Sequence, residues 1–463
     1  MDATIRIENF RSISDVVFHV KPGLNVMVGP NGSGKTNTLH ALKFLSNVVT
    51  SGAALAMGKA GGPARNFRRG EDAIRFVVLV DYETTLYKGR QTPFNLVWTV
   101  ELSLNESDNL TFIRHESLRV SAWIDNRSEN VISVEVGRSG GGVRTKHWFA
   151  DAASLTKKIA ESSYWVAAGS NKEAMFERLK KAVADELAGI KKVPHDVSIL
   201  ERFAGLHRAV RELYRDISAL DEYNIQPDIA RQASDPLPVV RMGNDGSGIS
   251  EVINTLETEQ FRRFFDSRGY LGGGAYLGGA GFMDYQMLNS MMRKNPLGEI
   301  SQHLKAAVVS IDSISTDIDR STGRRYTVFR SGANTFRPEE VSDGTLKWLC
   351  LLAALYVPRS KVVLLEEPEN FMHPWMQQRF MGLIRDQAKR LRTSVLLSTH
   401  SVTVLNSLDV SELLLVRQDG EDGTKIEWAA NDDDIARVLE ETNFGLGDIW
   451  VSGGIGEAFG GGQ

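Results

Sequence analysis

The sequence predicts an α/β protein built around a parallel sheet, and three observations support this fold class. The apolar run Leu24–Val28 leads through a glycine-rich loop into a helix with apolar periodicity. Two further apolar runs, Val362–Leu365 and Val395–Leu397, lack the alternation of a half-exposed strand. Such runs are typical of strands buried on both faces in a parallel sheet. All three runs end in glycine or polar residues, which suggests a polar edge where the strands finish.

Composition limits the classes of protein that fit. The 463 residues are 42% hydrophobic, enough for one large core or two or three smaller ones. A formal net charge of -4 gives no generally basic surface, so nucleic-acid binding would need local patches. The one cysteine, Cys350, lies in an apolar stretch, which predicts a buried reduced thiol and excludes an intramolecular disulfide. No signal peptide or membrane span is recognised, so we expect a cytoplasmic protein.

The loop after the first apolar run has the sequence of a phosphate-binding loop. It reads GPNGSGKT, in which Gly29 and Gly34 are followed by Lys35 and Thr36. Glycines let backbone N–H groups turn towards phosphate oxygens, and the start of a helix adds partial positive charge. In this pattern the lysine contacts the β- and γ-phosphates and the threonine hydroxyl binds Mg²⁺. The strand before the loop and the helix after it match the context that the motif requires.

The run Val362–Leu365 ends in acid, in the sequence KVVLLEEPENFMHP. Glu366 and Glu367 would lie at the carboxyl end of a buried strand, where open α/β sheets bind ligands. Alone, the pair is also compatible with a solvated strand end. Together with the phosphate-binding loop, it predicts that both glutamates face a magnesium nucleotide.

Two shorter motifs are each ambiguous when taken alone. Ser342-Asp343-Gly344-Thr345 stands directly before an apolar helix and reads as an ordinary N-cap. His400 ends the apolar run Val395–Leu397 after a serine and a threonine, and a single histidine there is commonly a satisfied surface or core residue. Its position after the strand that follows the acidic one would allow an imidazole to reach a γ-phosphate.

The remaining segments predict the organisation of the chain. Residues 1–150 carry several strand-like stretches, interrupted at 51–72 by a segment that reads as a mobile basic loop. Residues 151–300 are predicted to be a mostly helical insertion, and 301–463 return to alternating helices and strands. A glycine-rich stretch at 270–286 predicts a flexible loop. An amphipathic stretch at 173–187 and a following a/d seam predict the two arms of a helical hairpin. The seam is expected to pack within the chain, with a dimer contact as the alternative; its residues are Ile199, Phe203, Leu206, Val210, Leu213, Ile217 and Leu220.

The ordered set GPNGSGKT, SDGT, LLEEPENFMHP and LSTH resembles the ABC-type ATPase heads of the SMC, RecF and OLD group, and most closely the AAA15/AAA21-like ATPases. The resemblance spans residues 1 to about 60 and about 335 to 455. It implies a P-loop ATPase head, with an N-terminal antiparallel β lobe in 1–150, a helical insertion in 151–300, and the signature, Walker B and switch histidine in 301–463.

The resemblance also implies a role for each motif. Lys35 would bind phosphate, Thr36 and Glu366 would bind Mg²⁺, Glu367 would be the general base, and His400 the switch histidine. Ser342 and Gly344 would contact the γ-phosphate bound by the opposite subunit, which implies a homodimer or higher oligomer with composite ATP sites. The full set of implied nucleotide-binding residues is Gly29, Pro30, Asn31, Gly32, Ser33, Gly34, Lys35, Thr36, Asn37, Ser342 and Gly344.

The sequence departs from the family pattern at several points. Many ABC heads have aspartate where Glu366 stands, His373 replaces the usual D-loop acid, and we place no Q-loop glutamine. The separation between Lys35 and Ser342, 342 − 35 = 307 residues, is longer than in transporter subunits and argues against that class.

We recognise no Toprim nuclease after the ATPase motifs. The family logic then implies a separately encoded effector, a nuclease or toxin, as in the sensor subunits of antiphage systems, and a role in DNA repair or antiphage defence. The alternative is a scaffold whose ATP binding fixes an oligomer while hydrolysis is slow or incidental.

Three basic clusters are candidates for contact with DNA. Each is also compatible with an ordinary solvated face. The clusters are Arg65, Arg68 and Arg69; Lys389, Arg390 and Arg392; and Arg320, Arg324 and Arg325, the last near a predicted hairpin turn.

Overall fold

The described residues of the computed structural model form two compact units, and the chain passes between them several times. The first unit comprises Met1–Lys21, Pro30–Ser218 and Val416–Glu427, and the second comprises Pro22–Gly29, Ala219–Leu415 and Trp428–Gln463. The structure describes residues 2–85, 91–105, 109–124, 127–139, 142–149, 195–205, 208–237, 242–258, 296–308, 310–357, 362–419, 423–431 and 445–451, with isolated positions at 181, 184–185 and 188–189.

The first unit contains an antiparallel sheet of seven strands. Alternation of apolar and polar residues places one face of the early strands in the core, as at Ile5 and Ile7 of the first strand. Phe10, Phe44 and Phe76 meet in that core with ring centroids 5.4 to 6.3 Å apart. The strand order is β2-β1-β4-β5-β6-β7-β8, with bounds β1 Ala3–Phe10, β2 Ile13–Val20, β4 Ala73–Thr85, β5 Gln91–Leu104, β6 Thr111–Ile124, β7 Arg127–Ser139 and β8 Gly142–Phe149.

Helices accompany this sheet. The long helix after the phosphate-binding loop buries its apolar positions, including Leu39, Leu45 and Val48, as the sequence predicts. The helices are α1 Lys35–Ser51, α2 Ala53–Lys59, α3 Pro63–Asn66, α4 Leu200–Ala204 and α5 Arg208–Ser218, and α5 packs against α1.

Two predictions for this unit need correction. The sequence predicts a mobile basic loop at 51–72, but this segment forms α2 and α3. The buried side chain of Asn66 donates to Ala60 O and Gly62 O and so holds the connection between these two helices in place. The a/d seam is not one continuous helix, since α4 ends before Gly205. Its described members are nevertheless buried within the chain, which confirms packing within the subunit; Leu206 lies outside the described residues.

The second unit contains most of a six-stranded sheet in the order β16-β15-β3-β14-β13-β9, and its strands from β15 to β9 are parallel, as predicted. Val362–Leu365 and Val395–Leu397 are buried in neighbouring strands, which confirms that they lie in the interior of a parallel sheet. Met27 is in register with Ser398, and Ser398 with Glu366, so the carboxyl ends of three strands align. The strands are β3 Gly23–Val28, β9 Asp221–Tyr223, β13 Val362–Glu366, β14 Ser394–Ser398 and β15 Leu413–Asp419; β16, Gly423–Trp428, follows β15 and lies mostly in the first unit.

Helices surround the helix that follows the Ser342 motif. This helix is apolar on nearly every side and almost wholly buried, and its Trp348 contacts Phe380 with ring centroids 5.8 Å apart. Cys350 is fully buried, and burial raises the pKa of its thiol to about 12, in agreement with the predicted inert thiol. The helices are α6 Pro227–Ala230, α7 Ile249–Glu257, α8 Pro296–Ala307, α9 Asp343–Tyr356, α10 Pro374–Leu391, α11 Val402–Leu405 and α12 Leu446–Val451.

A small antiparallel sheet completes the second unit. It consists of β10 Ser313–Ile318, β11 Arg325–Ser331 and β12 Asn334–Phe336, and its first turn confirms the hairpin predicted near Arg320. The glycine-rich loop expected at 270–286 and most of the first arm of the predicted helical hairpin lie outside the described residues. Among the described helices, none has the length and apolar character needed to cross a membrane.

Candidate nucleotide site

The phosphate-binding loop has backbone conformations that only glycine adopts readily. Gly32 has φ 83° and Gly34 has φ 108°, both in the left-handed region. Gly34 then accepts the first helical hydrogen bond of α1 from Thr38 N at 2.9 Å. The side chain of Lys35 is buried and folds back over the loop, where Nζ donates to Pro30 O at 3.0 Å. The loop therefore leads directly into a helix of 17 residues whose first N–H groups have no helical acceptor.

A threonine distant in sequence fills the space beside Gly34. A Cβ atom at Gly34 would lie 2.2 Å from Thr424 Oγ1, so this approach requires glycine. Thr424 is fully buried, and its Oγ1 and the buried Ser33 Oγ have no hydrogen-bond partner in the described part of the chain. The exposed Gly32, the start of a helix and the unpartnered Ser33 hydroxyl together fit a phosphate group. Sequence reasoning missed Thr424, and we see no local signal that would have identified it.

The other predicted residues of the loop differ in their surroundings. Pro30, Asn31 and Gly32 are exposed, and Thr36 is half-buried in the first turn of α1. The side chain of Asn37 bonds to the turn between β1 and β2. Its Nδ2 donates to Ser12 Oγ at 2.8 Å, and its Oδ1 accepts from Arg11 Nη1 at 3.4 Å. Asn37 therefore has a structural role beside the loop.

The acidic edge brings three predicted residues together within the second unit. Glu366 is the last residue of β13, and its Oε2 accepts from Asn224 Nδ2 at 2.7 Å. Glu367 leaves the sheet with φ 40°, and its Oε1 lies 3.7 Å from His400 Nε2. Asn370 Nδ2 donates to the other oxygen of Glu367 at 2.8 Å. Glu367 comes near His400, and Glu366 lies at the same end of the sheet, because β13 and β14 run parallel and end together.

Buried polar groups support this edge from behind, and sequence reasoning missed them. Glu369 Oε1 accepts from Thr399 Oγ1 at 2.6 Å and from His400 N at 3.1 Å, and burial raises the pKa of Glu369. Lys347 Nζ donates to Glu367 O at 3.0 Å, and burial lowers the pKa of Lys347 to about 8. A signal existed in both cases: Glu369 belongs to the acidic motif, and Lys347 is a charge in an apolar helix.

The Ser342 motif forms the N-cap of α9. Ser342 Oγ accepts from Thr345 N at 3.2 Å, which confirms the ordinary capping role. A Cβ atom at Gly344 would lie 2.6 Å from Phe371 O, so the start of α9 touches the segment that follows Glu367. Arg231 holds the same motif by donating to Pro338 O, Val341 O and Asp343. A contact between Ser342 and a phosphate stays a prediction.

The residue at the predicted D-loop position also caps a helix. His373 is the N-cap of α10, and its Nδ1 accepts from Trp375 N at 3.3 Å.

Several side chains of the basic clusters form hydrogen bonds or ion pairs with other residues of the chain. Arg68 Nη1 donates to Ser12 O at 2.8 Å, and Arg390 Nη1 lies 3.3 Å from Glu299. Arg324 pairs with Asp235 at 3.2 Å and Arg325 with Glu251 at 3.0 Å. DNA contact through these clusters stays a prediction.

Two family models match the chain. The AAA_23 model, described as "AAA domain", matches residues 4–226, and the AAA_21 model, described as "AAA domain, putative AbiEii toxin, Type IV TA system", matches residues 185–406. Together they span the phosphate-binding loop, the Ser342 motif, the acidic edge and His400. The motifs, the site and these matches support a P-loop protein of the ATP-binding AAA/ABC class.

Curated proteins match short stretches of the chain. The chain is 50% identical over 40 residues to "DNA replication and repair protein RecF" of Prosthecochloris aestuarii, which is 9% of this chain and 11% of that protein. It is 30% identical over 112 residues to RecF of Mannheimia succiniciproducens, 24% and 26% of the two chains. It is 29% identical over 68 residues to "Probable ABC transporter ATP-binding protein p29" of Mesomycoplasma hyorhinis, 15% and 27% of the two chains. The matched regions thus span about a tenth to a quarter of each relative.

Among solved structures, the "SMC head domain from Thermotoga maritima" aligns over 92% of this chain and 98% of its own, at 10% identity and a TM-score of 0.35. The "Crystal structure of the SmcHead bound to the C-winged helix domain of ScpA" aligns over 92% and 96%, at 13% identity and a TM-score of 0.41. The family models, the RecF relatives and the motifs support an SMC/RecF-like ABC-type ATPase.

Proposed function

We propose that this protein binds Mg²⁺-ATP and hydrolyses it. The register that aligns Met27, Ser398 and Glu366 carries the proposal. The phosphate-binding loop begins two residues after Met27, and the group of Glu366, Glu367 and His400 ends the neighbouring strands. Ligands of open α/β sheets bind outside the carboxyl ends of the strands, so the end of the sheet formed by β3, β14 and β13 is suited to bind a nucleotide. The family resemblance assigns the loop that follows β3 to the same nucleotide.

Each group has a chemical task in this reaction. Loop amides and Lys35 bind the phosphates, while Thr36 and Glu366 would hold Mg²⁺. The bound cation would neutralise charge on the phosphate oxygens. Glu367 accepts a proton from the attacking water, and Asn370 orients its carboxylate. His400 would donate a hydrogen bond to the γ-phosphate.

Two variants test hydrolysis. Lys35→Ala is expected to lose nucleotide affinity, because the charge that faces the phosphates disappears. Glu367→Gln is expected to keep affinity and lose turnover, because an amide cannot accept the proton. Steady-state phosphate release and nucleotide titration separate the two effects. Wild-type turnover in Glu367→Gln would refute the assignment of the base and direct attention to Glu366 or His400.

We also propose that each ATP site is completed by a second copy of the chain through Ser342 and Gly344. The support is the start of α9, where a helix N-terminus favours an anion, together with the family resemblance. Lys35→Ala and Ser342→Arg are each expected to be inactive. Mixed dimers are expected to regain up to about half of the sites, because one composite site then carries both intact halves.

The capping role of Ser342 calls for a matched control. Ser342→Asp keeps a good N-cap but adds a negative charge that repels phosphate. If Ser342 only caps α9, Ser342→Asp will hydrolyse ATP at the wild-type rate. If Ser342 meets a phosphate, the variant will fold normally and lose activity. Mixed dimers no more active than either parent would contradict the shared site.

The cellular role is proposed from the relatives. RecF proteins are named for DNA replication and repair, and one matching family model is described as "AAA domain, putative AbiEii toxin, Type IV TA system". From the family resemblance we infer a role in DNA repair or antiphage defence in which the ATPase controls a separate nuclease or toxin. The carboxylate pair Glu366 and Glu367 favours turnover over a passive scaffold, because a scaffold needs no base. ATPase rates with and without DNA, and with the product of a neighbouring gene, test this role. A rate insensitive to both, with oligomerisation unchanged in Glu367→Gln, would favour the scaffold.

A further inference from the structure

The segment from Glu367 to Met372, here called the base loop, has a strained backbone. Glu367 has φ 40° and Phe371 has φ 69°, although neither residue is glycine. Such conformations are uncommon for residues with a Cβ and persist only where the surrounding structure enforces them. The base loop carries the proposed general base, so the contacts that enforce its shape also determine where the carboxylate points.

Helix α9 supplies one set of these contacts. The buried ammonium of Lys347 donates to Glu367 O at 3.0 Å and lies 5.6 Å from the centre of the Phe371 ring. Lys347 therefore contacts both strained residues. One turn earlier on the same helix, Gly344 lies so close to Phe371 O that any side chain would collide with it. The start of α9 and the base loop are in direct contact at two points.

The residues that directly follow β14 supply the other set, through Glu369. Glu369 is 6% exposed, and its carboxylate accepts hydrogen bonds from Thr399 Oγ1 and His400 N. Its Oε2 has no hydrogen-bond partner among the described residues. A buried carboxylate oxygen without a donor costs free energy, so loss of the two hydrogen bonds to Oε1 would leave both oxygens of Glu369 unpaired. These two bonds therefore stabilise the conformation of the base loop. Glu369 thus fixes the backbone of His400 relative to the base loop.

We propose that Lys347 and Glu369 are positioning residues: Lys347 ties the base loop to α9, Glu369 ties it to Thr399 and His400, and these two contacts, here called the clamp, hold Glu367 near His400. Since Lys347 lies three residues after Gly344 on a rigid helix, a shift at the start of α9 would move the backbone of Glu367. The clamp would therefore link occupancy of the Ser342–Gly344 segment to the position of the base. The functional part of this inference rests on the proposed ATP hydrolysis.

The first test replaces Lys347. Lys347→Met keeps the length of the side chain but cannot donate to Glu367 O. We expect kcat to fall about 100-fold, the loss that a misplacement of about 1 Å causes, while nucleotide affinity changes less than about twofold. Lys347→Arg retains a donor and should recover part of kcat. Lys305→Met is the matched control, because Lys305 is exposed and pairs with Asp312 away from the base loop.

The second test replaces the contacts of Glu369. Thr399→Val removes one hydrogen bond to Glu369 with little change of shape, and Glu369→Gln keeps an acceptor in place. We expect Thr399→Val to lower kcat with unchanged affinity and Glu369→Gln to lower it less than Glu369→Leu does. Circular dichroism identifies any variant that does not fold, and the conservative variants keep the test decisive if Lys347→Met is one of them.

A readout independent of activity separates this inference from the proposed function. Hydrogen–deuterium exchange of residues 366–372 should be faster in Lys347→Met than in the wild type and unchanged in Lys305→Met. If the wild type hydrolyses no ATP, the proposed function fails while the exchange experiment still tests the clamp. If the wild type is active and Lys347→Met retains both wild-type kcat and wild-type exchange, the clamp is refuted.

Discussion

Replacement of Gly34 by alanine provides a direct test of how the phosphate-binding loop is built. The added Cβ would lie 2.2 Å from Thr424 Oγ1 and 2.7 Å from its Cγ2, and φ at this position is 108°. Two costs therefore act at once: a collision with a buried side chain and a backbone conformation that alanine disfavours. Gly32 provides the matched control, because φ there is 83° and nothing lies within 4 Å of its added Cβ.

The two costs have different expected sizes. A left-handed backbone costs a residue with a Cβ about 1–2 kcal/mol, which is all that Gly32→Ala should lose. Overpacking a well-filled site adds about 1–3 kcal/mol, so Gly34→Ala should lose about 2–5 kcal/mol of the free energy of unfolding. Thr424→Ala removes the two closest atoms and leaves a Cβ 3.0 Å away. In the double variant the collision component of about 1–3 kcal/mol should be recovered as a coupling energy.

Urea denaturation without nucleotide measures these free energies, and nucleotide titration then measures the effect on binding. We expect Gly34→Ala to bind ATP more weakly than Gly32→Ala, because relief of the collision must displace the loop or the strand that carries Thr424. Equal losses at Gly32 and Gly34, or no coupling with Thr424→Ala, would refute the reasoning.

Three further predictions concern other parts of the chain. Glu116 is fully buried, accepts hydrogen bonds from Trp98 Nε1, Ser198 Oγ and Ile199 N, and lies 3.7 Å from Arg138. Glu116→Gln should therefore lower the free energy of unfolding, measured in urea, by about 3–5 kcal/mol. Glu135, whose side chain is 45% exposed, is the control, and Glu135→Gln should change that free energy by less than about 0.5 kcal/mol. Burial raises the pKa of the Cys350 thiol from 9.0 to about 12, so above pH 9 the thiol ionises in the unfolded state before it does in the folded state. The free energy of unfolding should therefore fall above pH 9 by about 1.4 kcal/mol per pH unit more in the wild type than in Cys350→Ala. Equal slopes of this free energy against pH in the two proteins would contradict the prediction. Arg69→Glu tests DNA contact more cleanly than a change at Arg68, which bonds to Ser12 O, and an unchanged affinity and salt dependence would remove the Arg65–Arg69 cluster from consideration.

Local signals in the sequence were sufficient for the main elements around the site. The helix that ends the strand–loop–helix segment Leu24–Val48 has a strong apolar periodicity, and the buried run Val362–Leu365 is apolar at every position. The structure confirms the predicted strands and helix in both segments. The N-cap at Ser342 also follows from a short local pattern. These predictions succeed because each depends on hydrogen bonds and burial within a few neighbouring residues.

Contacts between distant residues could not be predicted in the same way. Asn224 and Glu366 are 142 residues apart, and Gly34 and Thr424 are 424 − 34 = 390 residues apart. Asn224 follows β9, a strand of three residues that is too short to give a periodic signal. The a/d seam misled for a different, local reason. The spacing of its apolar residues predicts one continuous helix, but α4 ends at Ala204 and is followed by Gly205.

The two adjacent glutamates show how backbone conformation separates the surroundings of identical side chains. Glu366 still belongs to β13, so its carboxylate is held by Asn224 at the end of the neighbouring strand. In an extended strand the next side chain would point to the opposite face of the sheet. At Glu367 the chain instead turns with φ 40°, while its N–H remains bonded to Ser398 O at 3.1 Å, and the side chain comes near His400 on the other neighbouring strand. One carboxylate is thus beside an amide donor and the next beside an imidazole. The proposed division of work, with Glu366 on Mg²⁺ and Glu367 on water, depends on that turn, and the turn depends on the residues that enforce it.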